Sequence, residues 1–67
     1  MNLRGLSTNG LLKLHTAIRE ALDADDSTPP GGEKAFGVRE YPDWRLLANG
    51  LESVLDERGT DYIWVPW

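Results

Sequence analysis

The single histidine of the chain, His15, is the side chain best suited to acid–base chemistry at neutral pH. A catalytic histidine needs a nucleophile or an orienting carboxylate within hydrogen-bond reach, and no such pattern accompanies this one in the sequence. It lies instead between Leu11, Ile18 and Leu22, at positions that share one face of a helix. We therefore predict a partly buried packing histidine that is hydrogen-bonded to a neighbouring side chain.

Three aspartates, Asp23, Asp25 and Asp26, form a cluster of possible metal ligands. An EF-hand loop that began at the first of them would need glycine at its sixth position and glutamate at its twelfth, where this chain has Thr28 and Lys34. The pattern therefore favours a solvated acidic loop with no metal and no cofactor. A metal-dependent enzyme fragment that combines these aspartates with the histidine is a separate hypothesis, which calorimetric titration with divalent ions would test.

Two other patterns that support catalysis are incomplete in this chain. Gly31 and Gly32 precede Lys34, but the glycine spacing and the Lys-Ser/Thr pair of a phosphate-binding loop are missing. The hydroxyl groups of Ser7 and Thr8 lack the flanking residues of a nucleophile elbow, and the chain contains no cysteine. The sequence therefore predicts no catalytic residue and no small-molecule substrate.

Arginine and aromatic residues, which dominate protein-binding hot spots, are concentrated between Arg39 and Arg45. A purely structural interpretation makes Tyr41 the hydrophobic staple of a helix and Trp44 its core anchor, with both arginines solvated. Leu46 lies off the apolar stripe of that helix, where another surface could approach. With the aromatic residues of the last segment added, the predicted partner-binding set is Arg39, Tyr41, Trp44, Leu46, Tyr62, Trp64 and Trp67.

Two amphipathic segments position these candidate residues, and the first is predicted as a helix over about 8–23. Its apolar positions recur at helical spacing and are Leu11, Leu14, Ile18, Ala21 and Leu22. Ser7, Thr8 and Asn9 are all good N-caps. Three aspartates crowd the negative end of the helix dipole, and two prolines and two glycines follow them. Residues 24–34 are therefore predicted to be a mobile polar loop without chemistry.

The second amphipathic segment is predicted as a helix over about 43–58. Its apolar face holds Trp44, Leu47, Leu51, Val54 and Leu55. Pro42 and Asp43 suit the start of a helix, and Gly59 suits its C-terminal cap. The leucine faces of the two helices are expected to meet and form the core. Gly50 in the middle of the second helix predicts a close approach by another part of a protein surface.

The last segment, residues 61–67, is β-branched or aromatic at nearly every position and is predicted as a strand over 61–66. Alternation makes both faces of this strand apolar. One face holds Tyr62, Trp64 and Pro66, and the other holds Ile63, Val65 and Trp67. A second short strand near 35–39 is an open alternative, although Gly37 weakens it. The two strands would be parallel, and a second chain would have to complete the sheet.

Length and composition limit the protein to one small domain. The 67 residues leave room for a single core, and 40% hydrophobic residues place the chain in the globular class. The lack of cysteine favours a reducing cytoplasm, and no apolar run is long enough to cross a membrane. The net charge is −4, and no basic stripe is present to bind nucleic acid.

The fold class expected from these observations is α+β, a small two-helix domain with a short C-terminal β-strand. A chain this short without disulfides normally needs a further source of stability, and self-association is the remaining one. We therefore expect a non-enzymatic protein-interaction module that forms a homodimer through its last segment, or a monomer in which residues 1–6 cover that segment. The alternative function is a small nucleic-acid-associated or phage-type regulatory protein, because residues 1–22 carry three basic side chains and one acidic side chain.

Overall fold

Two α-helices make up most of the structure, a computed structural model that describes residues 2–67. A 3₁₀ turn, Leu3–Gly5, precedes helix α1 (Thr8–Asp26), and a connection over residues 27–41 leads to helix α2 (Pro42–Glu57). Residues 58–67 form an irregular C-terminal tail. Because residues 2–67 contain no β-strand, the protein is all-helical and the α+β prediction is wrong. Neither described α-helix is long and apolar enough to cross a bilayer.

Helix α1 begins where its capping residues predict but continues past the predicted end at about residue 23. The Ser7 side-chain oxygen accepts a hydrogen bond from the Gly10 backbone N–H at 3.0 Å and caps the first turn. In the last turn, the buried Asp25 carboxylate accepts hydrogen bonds from the backbone N–H groups of Phe36 at 3.0 Å and Val38 at 2.8 Å. These charge-assisted bonds compensate the unfavourable position of a carboxylate in the helix dipole. The last turn therefore belongs to the folded core and not to a mobile loop.

Helix α2 starts on a proline and ends in a Schellman cap. Pro42 takes the first helical position, where its missing N–H costs no hydrogen bond. At the other end, Gly59 adopts a φ of 64°, which residues with a Cβ rarely adopt. The N–H groups of Gly59 and Thr60 then donate to the carbonyl oxygens of Asp56 and Leu55, both at 3.0 Å. The cap ends the helix and starts the C-terminal tail.

The core lies between the helices, where the two predicted apolar stripes meet. Its buried helical residues are Leu11, Ile18, Ala21 and Leu22 of α1 and Ala48, Leu51, Val54 and Leu55 of α2. Leu14, Trp44 and Leu47 are only partly buried at its edge. Two valines outside the helical patterns complete it, Val38 of the connection and Val65 of the tail. Each of these irregular segments is thus anchored to the helix pair by one valine.

The predicted strand over 61–66 is absent. Its β-branched and aromatic residues favour extended backbone, but a strand also needs a neighbouring strand, and residues 2–67 provide none. Val65 instead inserts into the core, and the Trp67 N–H donates to its carbonyl at 2.9 Å, which bends the chain. The Arg39 side chain donates to the Pro66 carbonyl at 3.0 Å. Side-chain contacts therefore hold the tail in place of strand pairing.

The second candidate strand, near 35–39, is a turn around the end of α1. Gly37 adopts a φ of 68°, and its carbonyl accepts hydrogen bonds from the N–H groups of Glu40 at 3.1 Å and Tyr41 at 3.0 Å. The neighbouring N–H groups, which a β-ladder would need, donate to the Asp25 carboxylate instead. Residues 35–39 therefore form a turn and no strand, in line with the sequence argument that Gly37 weakens a strand here.

The 3₁₀ turn packs on α2 beside Gly50. A Cβ atom at this position would lie 2.9 Å from the Leu3 Cδ1 atom, so the chain's own N-terminal segment makes the predicted close approach. Arg4 pairs with Glu57 through two hydrogen bonds, of which Nε to Oε2 is 3.1 Å. The segment from residue 2 onward thus lies against α2, whereas the monomer alternative placed residues 1–6 over the tail; Met1 lies outside the described residues.

Candidate protein-binding cleft

A cleft of about 440 Å³ lies between the first half of α2 and the end of the C-terminal tail. Its lining residues are Val38, Arg39, Tyr41, Pro42, Arg45, Leu46, Asn49 and Trp67. Arg45, Leu46 and Asn49 recur at helical spacing on one side of α2, and Trp67 comes from the tail. Because Val38 is buried in the core, the connection that contributes to the cleft is fixed to the helices. Three separate segments of the chain therefore build one concave surface.

Large apolar side chains at the cleft are left in contact with solvent. Tyr41 is 64% exposed and Leu46 is 66% exposed, and both line the cleft together with Pro42 and Trp67. Single exposed apolar residues are common on protein surfaces, whereas several around one concavity mark a binding site. A partner that buried the exposed two thirds of the Leu46 side chain would gain about 1–2 kcal/mol from it.

Arg39 fixes the shape of the cleft by joining three parts of the chain. Its guanidinium donates to both carboxylate oxygens of Asp26, at 3.1 and 3.0 Å, and to the Pro66 carbonyl at 3.0 Å. The hydrogen bond from Arg39 lowers the pKa of the Asp26 carboxyl, with burial opposing it. The end of α1, the connection and the tail are therefore held together by one side chain whose charge is already compensated.

Arg45 brings a second positive charge to the cleft. Its guanidinium carbon lies 5.1 Å from the centroid of the Trp67 ring, a cation–π arrangement that orients the side chain. The ion pairs found within residues 2–67 do not include Arg45. Its N–H groups can therefore donate to a carboxylate of a bound partner.

The seven predicted partner-binding residues lie in three places. The cleft holds Arg39, Tyr41, Leu46 and Trp67. Trp44 lies elsewhere, where its ring meets the exposed Phe36 ring edge-on at a centroid distance of 6.1 Å. Tyr62 and Trp64 lie next to each other at a third place, with ring centroids 6.1 Å apart. The sequence identified suitable residue types, but only the fold shows which of them share a surface.

Four cleft residues, Val38, Pro42, Arg45 and Asn49, are absent from the predicted partner-binding set, although Arg45 ends the segment of arginine and aromatic residues that the sequence pattern singles out. Two of them had a usable signal, because Arg45 directly precedes Leu46 and Asn49 lies about one turn further on the same side of the helix. No signal in the sequence could have indicated the contact between Arg45 and Trp67, since it depends on the irregular path of the tail.

A second exposed apolar surface lies where the tail crosses α1. Ile63 is 66% exposed and Trp64 is 76% exposed. A shallow depression of about 320 Å³ is lined by Arg19, Glu20, Asp23, Ile63, Trp64 and Pro66, and we call these six residues the tail surface. None of them lines the cleft, so the described part of the chain presents two distinct candidate surfaces.

The histidine is a packing residue, as predicted, although it is more deeply buried than expected. His15 is 1% exposed, its Nε2 atom lies 2.8 Å from Oε2 of Glu52, and its ring centroid lies 5.1 Å from that of Tyr62. Burial raises the pKa of the Tyr62 hydroxyl, and the nearby Asp56 carboxylate raises it further. Because the imidazole is sealed between the helices and the tail, a substrate cannot reach it.

The acidic cluster of α1 is used for structure. Backbone hydrogen bonds, above all the one from Val38, lower the pKa of the Asp25 carboxyl against the opposing effect of burial. Asp26 pairs with Arg39, and Asp23 belongs to the tail surface. Within residues 2–67, no group of three or more His, Asp or Glu side chains is placed to hold a metal ion. The structure therefore does not bring the predicted aspartates and the histidine together as a metal site.

Similarity to known proteins does not decide between the candidate surfaces. Comparisons of the chain with protein-family models, with curated proteins and with solved structures find no match. The chemistry of the cleft and of the tail surface is therefore the basis on which a function can be argued.

Removal of the carboxylate that partners the histidine should destabilise the fold. In Glu52→Ala the buried imidazole loses its hydrogen-bond partner, and we expect a loss of about 1–3 kcal/mol in the free energy of unfolding. Urea denaturation followed by circular dichroism at pH 7 measures it. The matched control is Glu20→Ala, a change of the same kind at an exposed residue of α1, expected within about 0.5 kcal/mol of the parent. Equal midpoints for the two variants would contradict the buried pair.

Proposed function

We propose that this protein is a non-enzymatic interaction module whose cleft binds a segment of another protein that carries an apolar side chain next to a carboxylate. The observation that carries the proposal is the combination of exposed Tyr41 and Leu46 with Arg45, which lies over the Trp67 ring. Tyrosine, tryptophan and arginine are the residue types most enriched among the hot spots of protein interfaces.

The apolar part of the cleft supplies most of the binding energy expected for such a segment. Tyr41, Leu46 and Trp67 offer one aliphatic and two aromatic surfaces around a volume of about 440 Å³, at the lower end of the range typical of ligand pockets. An aliphatic or aromatic side chain of the partner would be buried against them. The cleft walls are fixed by Arg39 and by the core, so the backbone around the cleft loses little conformational entropy on binding.

Charge supports an acidic partner over other choices. The chain as a whole has a net charge of −4, whereas the charged residues that line the cleft are Arg39, which Asp26 compensates, and Arg45, which no ion pair within residues 2–67 includes. An acidic segment is therefore repelled by the rest of the surface and attracted here, which gives specificity. A second copy docked symmetrically through the cleft would bring Arg45 of each copy toward the other, and like charges in an interface are unfavourable.

Selection of random twelve-residue peptides displayed on phage tests the proposal. We expect enrichment of peptides in which leucine or an aromatic residue neighbours aspartate or glutamate. A synthetic peptide of the enriched class should bind the parent in a fluorescence anisotropy titration, and Arg45→Glu should weaken it by about tenfold or more, which corresponds to about 1.4 kcal/mol. Leu46→Asp should act in the same direction.

The matched control is Lys13→Glu, the same charge reversal at an exposed position of α1 away from the cleft, which should bind as the parent does. Circular dichroism checks that each variant is folded. Selected peptides that bind the Arg45→Glu variant as tightly as the parent would overturn the proposal. Salt-dependent retardation of random duplex DNA in a gel would replace it with the nucleic-acid alternative.

A further inference from the structure

The tail surface has the properties of an interface between two copies of this chain. Ile63 and Trp64 are the two side chains of the tail that are large, apolar and mostly exposed. The Trp64 ring contacts Tyr62, which in turn packs on the buried His15. The tryptophan of the apolar patch is therefore held against the folded core.

Two of the three charged residues beside this patch, Arg19 and Asp23, can complement each other across a two-fold axis, and the third is Glu20. Arg19 and Asp23 lie four residues apart on α1, so they share one face of the helix. If a second copy is placed with its α1 antiparallel and a two-fold axis at the level of Ala21, Arg19 of each copy lies opposite Asp23 of the other. A symmetric dimer requires a surface that complements itself in this way. The cleft, whose charged residues are both arginines, does not meet that requirement.

The hydrogen bonds of Arg19 leave it free to pair with a second copy. Its guanidinium donates to the Thr16 hydroxyl at 3.2 Å, and its buried Nε atom has no hydrogen-bond partner within residues 2–67. The ion pairs of the described chain do not include Arg19 with Asp23, although helical spacing would permit one. Because the Nε atom is buried, a carboxylate from another copy would accept from the terminal Nη groups, of which Nη2 makes the hydrogen bond to Thr16.

We propose that the tail surface forms a weak homodimer about a two-fold axis, with Ile63 and Trp64 packed against their counterparts and Arg19 paired with Asp23 of the second copy. The two apolar side chains and Pro66 cover roughly a few hundred Å², which is the size of the largest patch on a typical monomer. A standard interface buries about 800 Å² on each partner, so this one is small. We therefore expect a dissociation constant on the order of 100 μM.

A charge-swap experiment tests the proposed interface. In sedimentation equilibrium from about 10 to 500 μM, a range that brackets the expected constant, the parent should form dimers. Arg19→Asp and Asp23→Arg should each weaken association by about tenfold, because each places like charges opposite one another. The double variant Arg19→Asp/Asp23→Arg exchanges the two charges and should restore association to within about threefold of the parent. Trp64→Ser should abolish it.

The control variant Leu46→Asp, which changes the cleft, should leave the dimer unaffected. Circular dichroism of each variant separates loss of the interface from loss of the fold, and Trp64 is exposed enough for its replacement to preserve the fold. A parent that stays monomeric at 500 μM would overturn the proposal. So would a double variant that associates no better than the two single variants, or a dimer that Trp64→Ser leaves intact. None of these three outcomes bears on peptide binding in the cleft, which uses other residues.

Discussion

Asp25→Asn should lower the thermal unfolding midpoint of the protein by on the order of 10 °C, although it removes a single charge and preserves the shape of the side chain. In the native chain, both carboxylate oxygens accept backbone hydrogen bonds, from Phe36 and Val38. Asparagine keeps one acceptor and turns an NH₂ donor toward the other backbone N–H. The side chain is fully buried, so water cannot replace the lost bond.

The same substitution should change the response of the protein to acid. Backbone hydrogen bonding lowers the pKa of the Asp25 carboxyl below its ordinary value. A carboxyl with a lowered pKa in the folded state stabilises the fold above its unfolded pKa of about 4, and this stabilisation is lost as pH falls through the folded value. The thermal unfolding midpoint of the parent should therefore fall when the pH is lowered below about 4, and the midpoint of Asp25→Asn should fall less. A smaller drop remains because Asp26 and Glu57 also have lowered pKa values.

Asp23→Asn is the matched control for both measurements, because it removes the same charge from the same end of α1. Asp23 is exposed, and removal of a negative charge near a helix C-terminus is neutral or slightly stabilising. Melting curves of the parent and both variants between pH 2.5 and 7 settle the comparison. An Asp25→Asn midpoint equal to that of Asp23→Asn at pH 7 would contradict the described role of this carboxylate.

The two helices could be predicted from the sequence because their signals are local. Apolar residues at helical spacing, an N-cap at Ser7 and a glycine at residue 59 all act within a few residues of the backbone that they shape. The last turn of α1 could not be predicted from such signals. It depends on hydrogen bonds between Asp25 and backbone groups eleven and thirteen residues away, and a local interpretation sees only an acidic residue at the wrong end of a helix dipole.

The C-terminal tail was predicted wrongly because strand formation is not a local property. The residues from Tyr62 to Trp67 have the composition of a strand, but a strand exists only where another strand pairs with it. In this chain the backbone near 35–39, the one other candidate for a strand, is a turn around Asp25. The tail therefore takes the path that buries Val65 and places the Pro66 carbonyl next to Arg39.

The candidate cleft could be predicted in residue type but not in arrangement. Arg39, Tyr41 and Leu46 lie close together in sequence, and their chemistry marks them as possible contacts. Trp67 joins them only because the tail is bent, whereas Trp64, three residues earlier, belongs to the tail surface with Arg19. One aromatic segment is thus divided between two surfaces of different charge, and this division is the basis of the two proposals, an acidic segment in the cleft and a second copy at the tail surface.

Leu51→Ala should remove most of the stability of this protein. Leu51 is fully buried in the middle of α2, and truncation of such a leucine costs about 2–5 kcal/mol through lost burial and a residual cavity. A single core in a chain of this size rarely supplies more than about 3–5 kcal/mol, so the loss is comparable with the whole stability. We expect the variant to lack a native baseline in urea denaturation at 25 °C.

Leu46→Ala is the matched control, the same substitution five residues earlier on the same helix but at a side chain that is mostly exposed. Its free energy of unfolding should lie within about 0.5 kcal/mol of the parent, while its affinity for a cleft-binding peptide should fall. Leu51→Ala should therefore lower the stability of the fold, whereas Leu46→Ala should lower only the affinity for the peptide. Both denaturation curves are recorded at one protein concentration, because self-association would add stability that depends on concentration. A midpoint for Leu51→Ala equal to that of the parent would refute the helix pair as the core, because Leu51 is fully buried in that core.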